Sequence, residues 1–348
     1  MYELDRQHKA LQVTLVENAK MKEKSKEVAF DESKLKENDH VTKYLTGLPS
    51  WQHLNVLVTT LSPVMTNSSK NALSKFQEII LVLMRLRLGL PLQLLAALFH
   101  IDTSTSCRIF HRVLNNMFVN LKWLVQWPDR EILQSNLPAE FVKCFGERVT
   151  VIIDCFEVVI EKSHYPRLNP ETDKSSRRVM KYLIGISPQG VITYISDKGW
   201  AGQMSDKDIV ENSDYLSYLE DGDSVIVNGD CNIYESLGMK KSDVSISAFT
   251  CVEKQLIPWE VEEARKIAHL KTHIEKVIGC FRNRFPLLRS EVSLEYIQAN
   301  SDGLTTLDKV VSVCAALTNL SENGVVKVDS RDVCVTLTND SESDVPLT

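Results

Sequence analysis

Val-Thr-Val-Ile-Ile-Asp-Cys-Phe-Glu-Val-Val-Ile-Glu, from Val149 to Glu161, is the stretch on which the fold of this chain turns. Its β-branched and aromatic residues read as a strand. Apolar residues on both faces make it a central, covered strand rather than an edge. Asp154 interrupts the run. A carboxylate there must be paired, protonated, bound to a cation or aimed at solvent, because burying an isolated charge is costly. The plainer alternative is a strand-end Asp that caps a turn or pairs with a Lys.

Downstream, Tyr182 to Ile186 and Val191 to Ser196 flank Ser187-Pro188-Gln189-Gly190, a hairpin with Pro and Gly where a β-turn wants them. Ser205 caps a helix that opens with Asp206 and Asp208, acids suited to a positive helix end. Ser224 to Val227 is another buried-type strand, followed by Asn228-Gly229-Asp230, and Ser245 to Phe249 is a last short strand. Glu260 to Phe285 is the most strongly periodic helix, with Ile267, Leu270, Ile274, Ile278 and Phe281 as its buried stripe. Lys271, Glu275, Gly279 and Arg282 run beside that stripe. From Arg265 to Arg289 there are seven Lys/Arg and one acid, Glu275. A solvated basic face explains the cations. It does not explain the carboxylate in their midst.

Upstream, Met1 to about Asp39 is dense in Lys and Glu and reads as a solvated helix. Trp51 to Leu61 is a short amphipathic helix ended by Ser62-Pro63. Ser74 then caps a strong helix reaching Leu88, broken by Gly89 and Pro91. Leu92 to His100 is a second helix and Ser104 to about Leu121 a third, joined by a polar turn in the outline of a helix-turn-helix. The third helix would expose Thr103, Thr105, Ser106, Arg108 and Arg112 where a recognition helix meets a major groove. Periodicity alone fits an ordinary helical bundle better. Yet Lys75 to Arg112 holds five Lys/Arg against Glu78 and Asp102, in a chain of net charge −6.

That net charge excludes a protein coated in basic charge, so nucleic-acid contact must come from local patches. The eight cysteines, with no close pair, outline neither a zinc site nor a disulfide framework and suit a reducing compartment. No apolar run approaches transmembrane length, so a soluble, intracellular protein without a membrane partner is expected. With 348 residues the chain can hold two domains. The boundaries expected are a charged segment over 1–45, a helical domain over 46–145, an α/β domain over 146–325 and a disordered tail over 326–348.

The order strand with Asp, hairpin, helix, strand ending in Asn-Gly-Asp, strand and long helix with Glu resembles the ribonuclease-H-like mixed sheet of DDE transposases. Leu81 to Leu88 followed by Leu94-Leu95-Ala96 looks like the helix-turn-helix that precedes that catalytic domain. Ile153 to Glu157, Trp200-Ala201-Gly202 with Ser205-Asp206, Gly222 to Val225, Arg265 to Ala268 and His273 to Gly279 look like the Harbinger-related DDE superfamily endonucleases. Together they cover roughly Thr46 to Leu320 in one consistent order. The resemblance implies three carboxylates that hold two divalent ions, Mg²⁺ or Mn²⁺, one ion serving the attacking oxygen and the other the leaving oxygen of a DNA phosphate. It makes Asp154 the first acid and Glu275 the third. The second position departs from the family pattern, holding Asn228, a neutral amide; Asp230, two residues on, is the candidate substitute. Lys174, Arg177, Arg178, Lys271 and Arg282, with Arg108 and Arg112, are the expected DNA contacts. The expected partner is double-stranded DNA in the nucleus, the cytoplasm also being open, with a protein partner or a homodimer as further possibilities. The alternative is a domesticated transposase that has lost cleavage and acts as a DNA-binding or partner-binding module.

Overall fold

β1 (Val149–Val159) lies mid-sheet, as its two-sided apolarity requires. The computed structural model describes residues 30–66, 72–135, 137–139, 141–142, 149–161, 178–220, 223–227, 245–248 and 275–321. The other strands are β2 (Val179–Ile186), β3 (Ile192–Ile195), β4 (Trp200–Ala201), β5 (Ser224–Val227) and β6 (Ser245–Ala248). They run in the order β3-β2-β1-β5-β6, with β4 beside β2. β1, β2 and β3 are successively antiparallel, whereas β5 is parallel to β1 and β6 to β5. This order and polarity is the ribonuclease-H-like sheet expected from the sequence. The hairpin turn closes as anticipated, with the Gly190 amide donating to the Ser187 carbonyl and Gly190 at φ 85°.

Successive strand residues face opposite sides of a sheet. Ile152, Phe156 and Val158 accordingly join Tyr182, Ile184 and Ile226 in one apolar cluster. Val151 and Ile153 join Leu183, Tyr194, Val225 and Val227 in the other.

The helices are α1 (Glu32–Lys36), α2 (Asp39–Thr46), α3 (Trp51–Leu61), α4 (Lys75–Leu88), α5 (Leu92–Leu98), α6 (Thr103–Leu121), α7 (Arg130–Ser135), α8 (Asp206–Asn212), α9 (described over 275–284) and α10 (Thr306–Asn319). α8 covers the second face of the sheet with Ile209 and Val210. α9 covers the first with Val277, Ile278 and Phe281, and the Phe281 ring meets Phe156 edge-on, centroids 5.6 Å apart. α10 lies on the same face, and nearly every one of its residues is buried. It begins with a reciprocal cap between Thr305 and Asp308. Asp308 also accepts hydrogen bonds from the Tyr182 hydroxyl (2.7 Å) and the Gly199 amide (2.9 Å).

The helical region continues this core rather than forming a separate one. Ile79 to Met84 on α4 and Phe110, Val113 and Met117 on α6 belong to the cluster that covers Phe156. Polar fasteners reinforce the join. Arg85 donates to the Tyr296 hydroxyl (3.1 Å), Arg87 to the Asn283 and Arg284 carbonyls (3.1 and 2.7 Å), and Lys309 to Asn115 Oδ1 (2.9 Å).

Two features differ from the sequence reading. Leu35 is buried within the stretch read as solvated, because one apolar residue among lysines leaves no periodic trace. α10 was not marked as a helix, since a helix buried on all sides lacks an amphipathic stripe. Residues 260–274 of the long periodic helix lie outside the described residues.

Phe281→Ala should lower the unfolding free energy by about 3–5 kcal/mol, the usual result of emptying a buried aromatic site. Denaturant melts will measure it, and a loss under about 1 kcal/mol would mean that α9 is not held to the sheet through this ring.

Candidate active site

Asp154 sits on β1 opposite Ile184 of β2. It is half-buried, and its Oδ1 accepts the Cys155 amide at 2.7 Å. Strand alternation places it on the face of Ile152 and Phe156, the face that α9 covers. On the other side of β1 the parallel register pairs Ile153 with Val227, the last described residue of β5 before position 228. Asn228 and Asp230 lie outside the described residues.

Glu275 is exposed on α9. From the Phe156–Phe281 contact, Asp154 lies two residues back along the strand, about 7 Å. Glu275 lies six residues back along the helix, about 9 Å. α9, which bears Glu275, thus packs on the face of the sheet where Asp154 lies. Both offer hard carboxylate oxygens, the donor type that Mg²⁺ and Mn²⁺ take. Among the described residues no three His, Cys, Asp or Glu gather into a metal-holding group, and the second-acid position is not among them.

On the opposite face, Lys181 pairs with Asp206 at 3.1 Å, and Cys155 is enclosed beside them. Burial, then the charges of Asp206 and Asp154, push the Cys155 thiol far above its usual range, so it stays protonated.

The expected DNA contacts divide sharply. Lys174, Arg177 and Lys271 lie outside the described residues. Arg178 is half-buried at the start of β2, where its carbonyl accepts the Ile160 amide. Arg282 is half-buried; its Nε is enclosed and has no hydrogen-bond partner among the described residues. Burial and the nearby Arg289 lower its pKa, with Glu157 opposing.

Of the five cations counted from Lys75 to Arg112, four have internal partners. Lys75 bonds the Ser62 carbonyl, Arg85 and Arg87 fasten the helical region as described, and Arg112 pairs with the buried Glu78 on α4 at 2.5 Å. The local excess of positive charge is therefore largely structural, a correction to the charge count. Ser106 is likewise buried rather than exposed. Arg108 stays exposed, one turn into α6, with Thr105 Oγ1 at 3.1 Å. Thr103 and Ser104 are exposed beside it. Sequence reasoning missed the Glu78–Arg112 pair, because a lone acid in an apolar helix names no partner.

The family model described as DDE superfamily endonuclease matches residues 153–319, and the one described as helix-turn-helix of DDE superfamily endonuclease matches 71–122. The chain belongs to the DDE superfamily endonucleases. The two matches fall on this DDE chain's sheet unit and on α4 to α6, in the expected order. No curated protein matches its sequence. Among solved structures it is similar to a pre-cleavage Mos1 transpososome, at 9% identity and TM-score 0.22, over 74% of this chain and 79% of that one. A Mos1 transposase paired-end complex with left transposon end follows at 9% identity and TM-score 0.20, over 62% and 80%. A Mos1 mariner paired-end complex with Mn gives 10% identity and TM-score 0.19, over 67% and 88%. The assignment rests on the family models and the strand order, not on these overlaps.

Burial raises the Glu78 carboxyl above its ordinary 4.5, outweighing Arg112. An acid with a raised folded-state pKa binds its proton more tightly in the folded chain, so its contribution to stability falls as pH rises from 4.5 through the folded value. Glu78→Gln should flatten that part of the stability profile, followed by denaturant melts across mildly acidic pH. An unchanged slope would show that Glu78 titrates as it does in the unfolded chain.

Proposed function

We propose that this protein is a transposase-derived, DDE endonuclease-like protein of the Harbinger-related branch that binds duplex DNA and a divalent cation and cleaves weakly or not at all. The observation that carries this reading is Asp154. It stands half-buried between the buried Ile152, Ile153 and Phe156, on the side covered by the helix that bears Glu275. Asp154 and Glu275 would hold the cation. When bound, Mg²⁺ or Mn²⁺ supplies Lewis-acid activation of a DNA phosphate and of the attacking oxygen.

The chain's own residues set the limit. A two-ion site places its cations about 4 Å apart and depends on several anionic ligands to offset their repulsion. Asn228 contributes at most one neutral oxygen where the family supplies a carboxylate. Asp154 and Glu275 suffice for one ion, since Mg²⁺ is often held by one or two carboxylates with waters completing the shell. Asp230 is the candidate replacement. Against it, Asn228-Gly229 is a turn signal that would end the strand before position 230.

DNA would meet the exposed start of α6, where Thr103, Ser104 and Arg108 lie, and the basic side of α9. The half-buried Arg282 guanidinium on α9 is one proposed phosphate contact. Arg178 and, from the sequence, Lys174, Arg177 and Lys271 complete the proposed set. Arg112 supports α6 through Glu78 and would act on DNA binding mainly by holding that helix in place. Such a protein would act in the nucleus. The second reading, a module that binds DNA or a protein partner without cutting, is favoured by the same Asn228.

The purified protein should give little or no Mn²⁺-dependent nicking of supercoiled DNA, and Asn228→Asp should raise nicking and tighten metal binding measured by calorimetry. If the unaltered protein nicks readily and Asp230→Asn abolishes it, Asp230 is the second acid and the impaired-site reading fails. Arg108→Ala should weaken duplex binding and reduce its log–log salt slope by about 1, as loss of one phosphate contact does. Binding that ignores salt and Arg108 alike would defeat the assignment of α6.

A further inference from the structure

A cleft of about 710 Å³ runs along the edge strand β3. Thr193, Tyr194 and Ile195 form one wall, and the chain just beyond α6, with Trp123 and Trp127, forms another. The turn carrying Tyr218 and Glu220 closes it. Tyr194 belongs to the apolar cluster on the sheet face opposite Asp154, so this cleft is distinct from the candidate active site.

Its aromatic content is unusual for a solvated edge. Trp127 stacks on Tyr218 with centroids 5.8 Å apart, and Tyr194 meets Tyr218 edge-on at 5.9 Å. Trp123 is 55% exposed and Tyr218 41%. Exposed Trp and Tyr together are what interfaces favour as anchors.

Charge selects the occupant. The cleft is lined by Asp197, Asp214 and Glu220 against Lys122 and Arg130. Lys122 lies 3.5 Å from Asp197, and Arg130 is held by Glu220 (3.1 Å) and by the buried Asp223 (2.5 Å). Asp214 accepts the Tyr194 hydroxyl at 2.6 Å and, among the described residues, has no Lys or Arg within ion-pair distance. Carboxylates beside open aromatic faces attract cations and repel phosphate.

We propose that this cleft docks a partner-protein segment that carries Lys or Arg side chains. Its cations lie over Trp123 and Tyr218 and face Asp214. This site is independent of DNA and metal binding on the other side of the sheet.

The test titrates the full chain into fluorescein-labelled acetyl-Gly-Arg-Ala-Lys-Ala-Arg-Gly-amide, followed by anisotropy, beside a peptide with Glu at each cationic position. The cationic peptide should bind saturably with Kd below about 1 mM, and the Glu peptide should not. Trp123→Ala combined with Asp214→Asn should weaken binding about tenfold, equivalent to 1.4 kcal/mol. Trp123 is half exposed, and Asn at 214 still accepts the Tyr194 hydroxyl, so the double variant keeps the same packing; Trp123→Ala alone gives a smaller loss in the same direction. Glu32→Gln, an exposed acid on α1, should change nothing. The proposal is overturned by absence of saturable binding, by equal binding of the Glu peptide, or by an unaffected double variant. Equal displacement by spermine would reduce the cleft to a bare cation site and would also overturn it.

Discussion

Burial of β1 on both faces is the constraint from which the rest of this structure follows. An antiparallel neighbour, β2, and a parallel one, β5, complete its hydrogen bonding, and each face then needs its own apolar cover. α8 supplies one cover; α9 and α10 supply the other. The seating of Phe281 against Phe156 places α9, and with it Glu275, relative to Asp154. α9 owes its place on the Asp154 face to this packing.

The sequence was most legible where local chemistry and periodicity agreed. The strand around Asp154, the Ser187–Gly190 turn, the Ser205 cap and the helix from Lys75 to Leu88 all combined a pattern with a punctuation residue, and the structure has each of them. α10 escaped because Val310, Val311, Val313, Cys314 and Ala315 are all buried, which erases the contrast between faces that periodicity detects. Its capping pair, Thr305 and Asp308, was the available signal. For the site, motif order singled out Asp154 and Glu275 as candidates, and α9, which bears Glu275, packs on the face of β1 where Asp154 lies. Asn228 and Asp230 were legible as residue types, but a strand's end is set by tertiary pairing and cannot be read from them.

Charge counting misled for a definite reason. A net count treats each cation as solvated, whereas Arg85, Arg87 and Arg112 turn inward to a hydroxyl, two carbonyls and a buried carboxylate. Arg does this readily because its planar, weakly hydrated fork satisfies several acceptors at once. In an acidic chain that fastens helices with guanidinium groups, exposed cations are the informative ones. Arg108 is one of them, and Arg282 is notable for the unmet Nε at its base.

The shared core between α6 and α10, fastened by Lys309 on Asn115, also has a mechanical meaning. Modules joined by a flexible tether gain affinity through effective concentration, and the tether's length tunes that gain. Here, among the described residues, the helix-turn-helix and the sheet share one apolar core. The position of α6 relative to the face of Asp154 is therefore held by packed side chains, like the jaws of a calliper with a constant gap. Changing that gap would require recarving the apolar contact between α6 and α10; lengthening a loop would not do it.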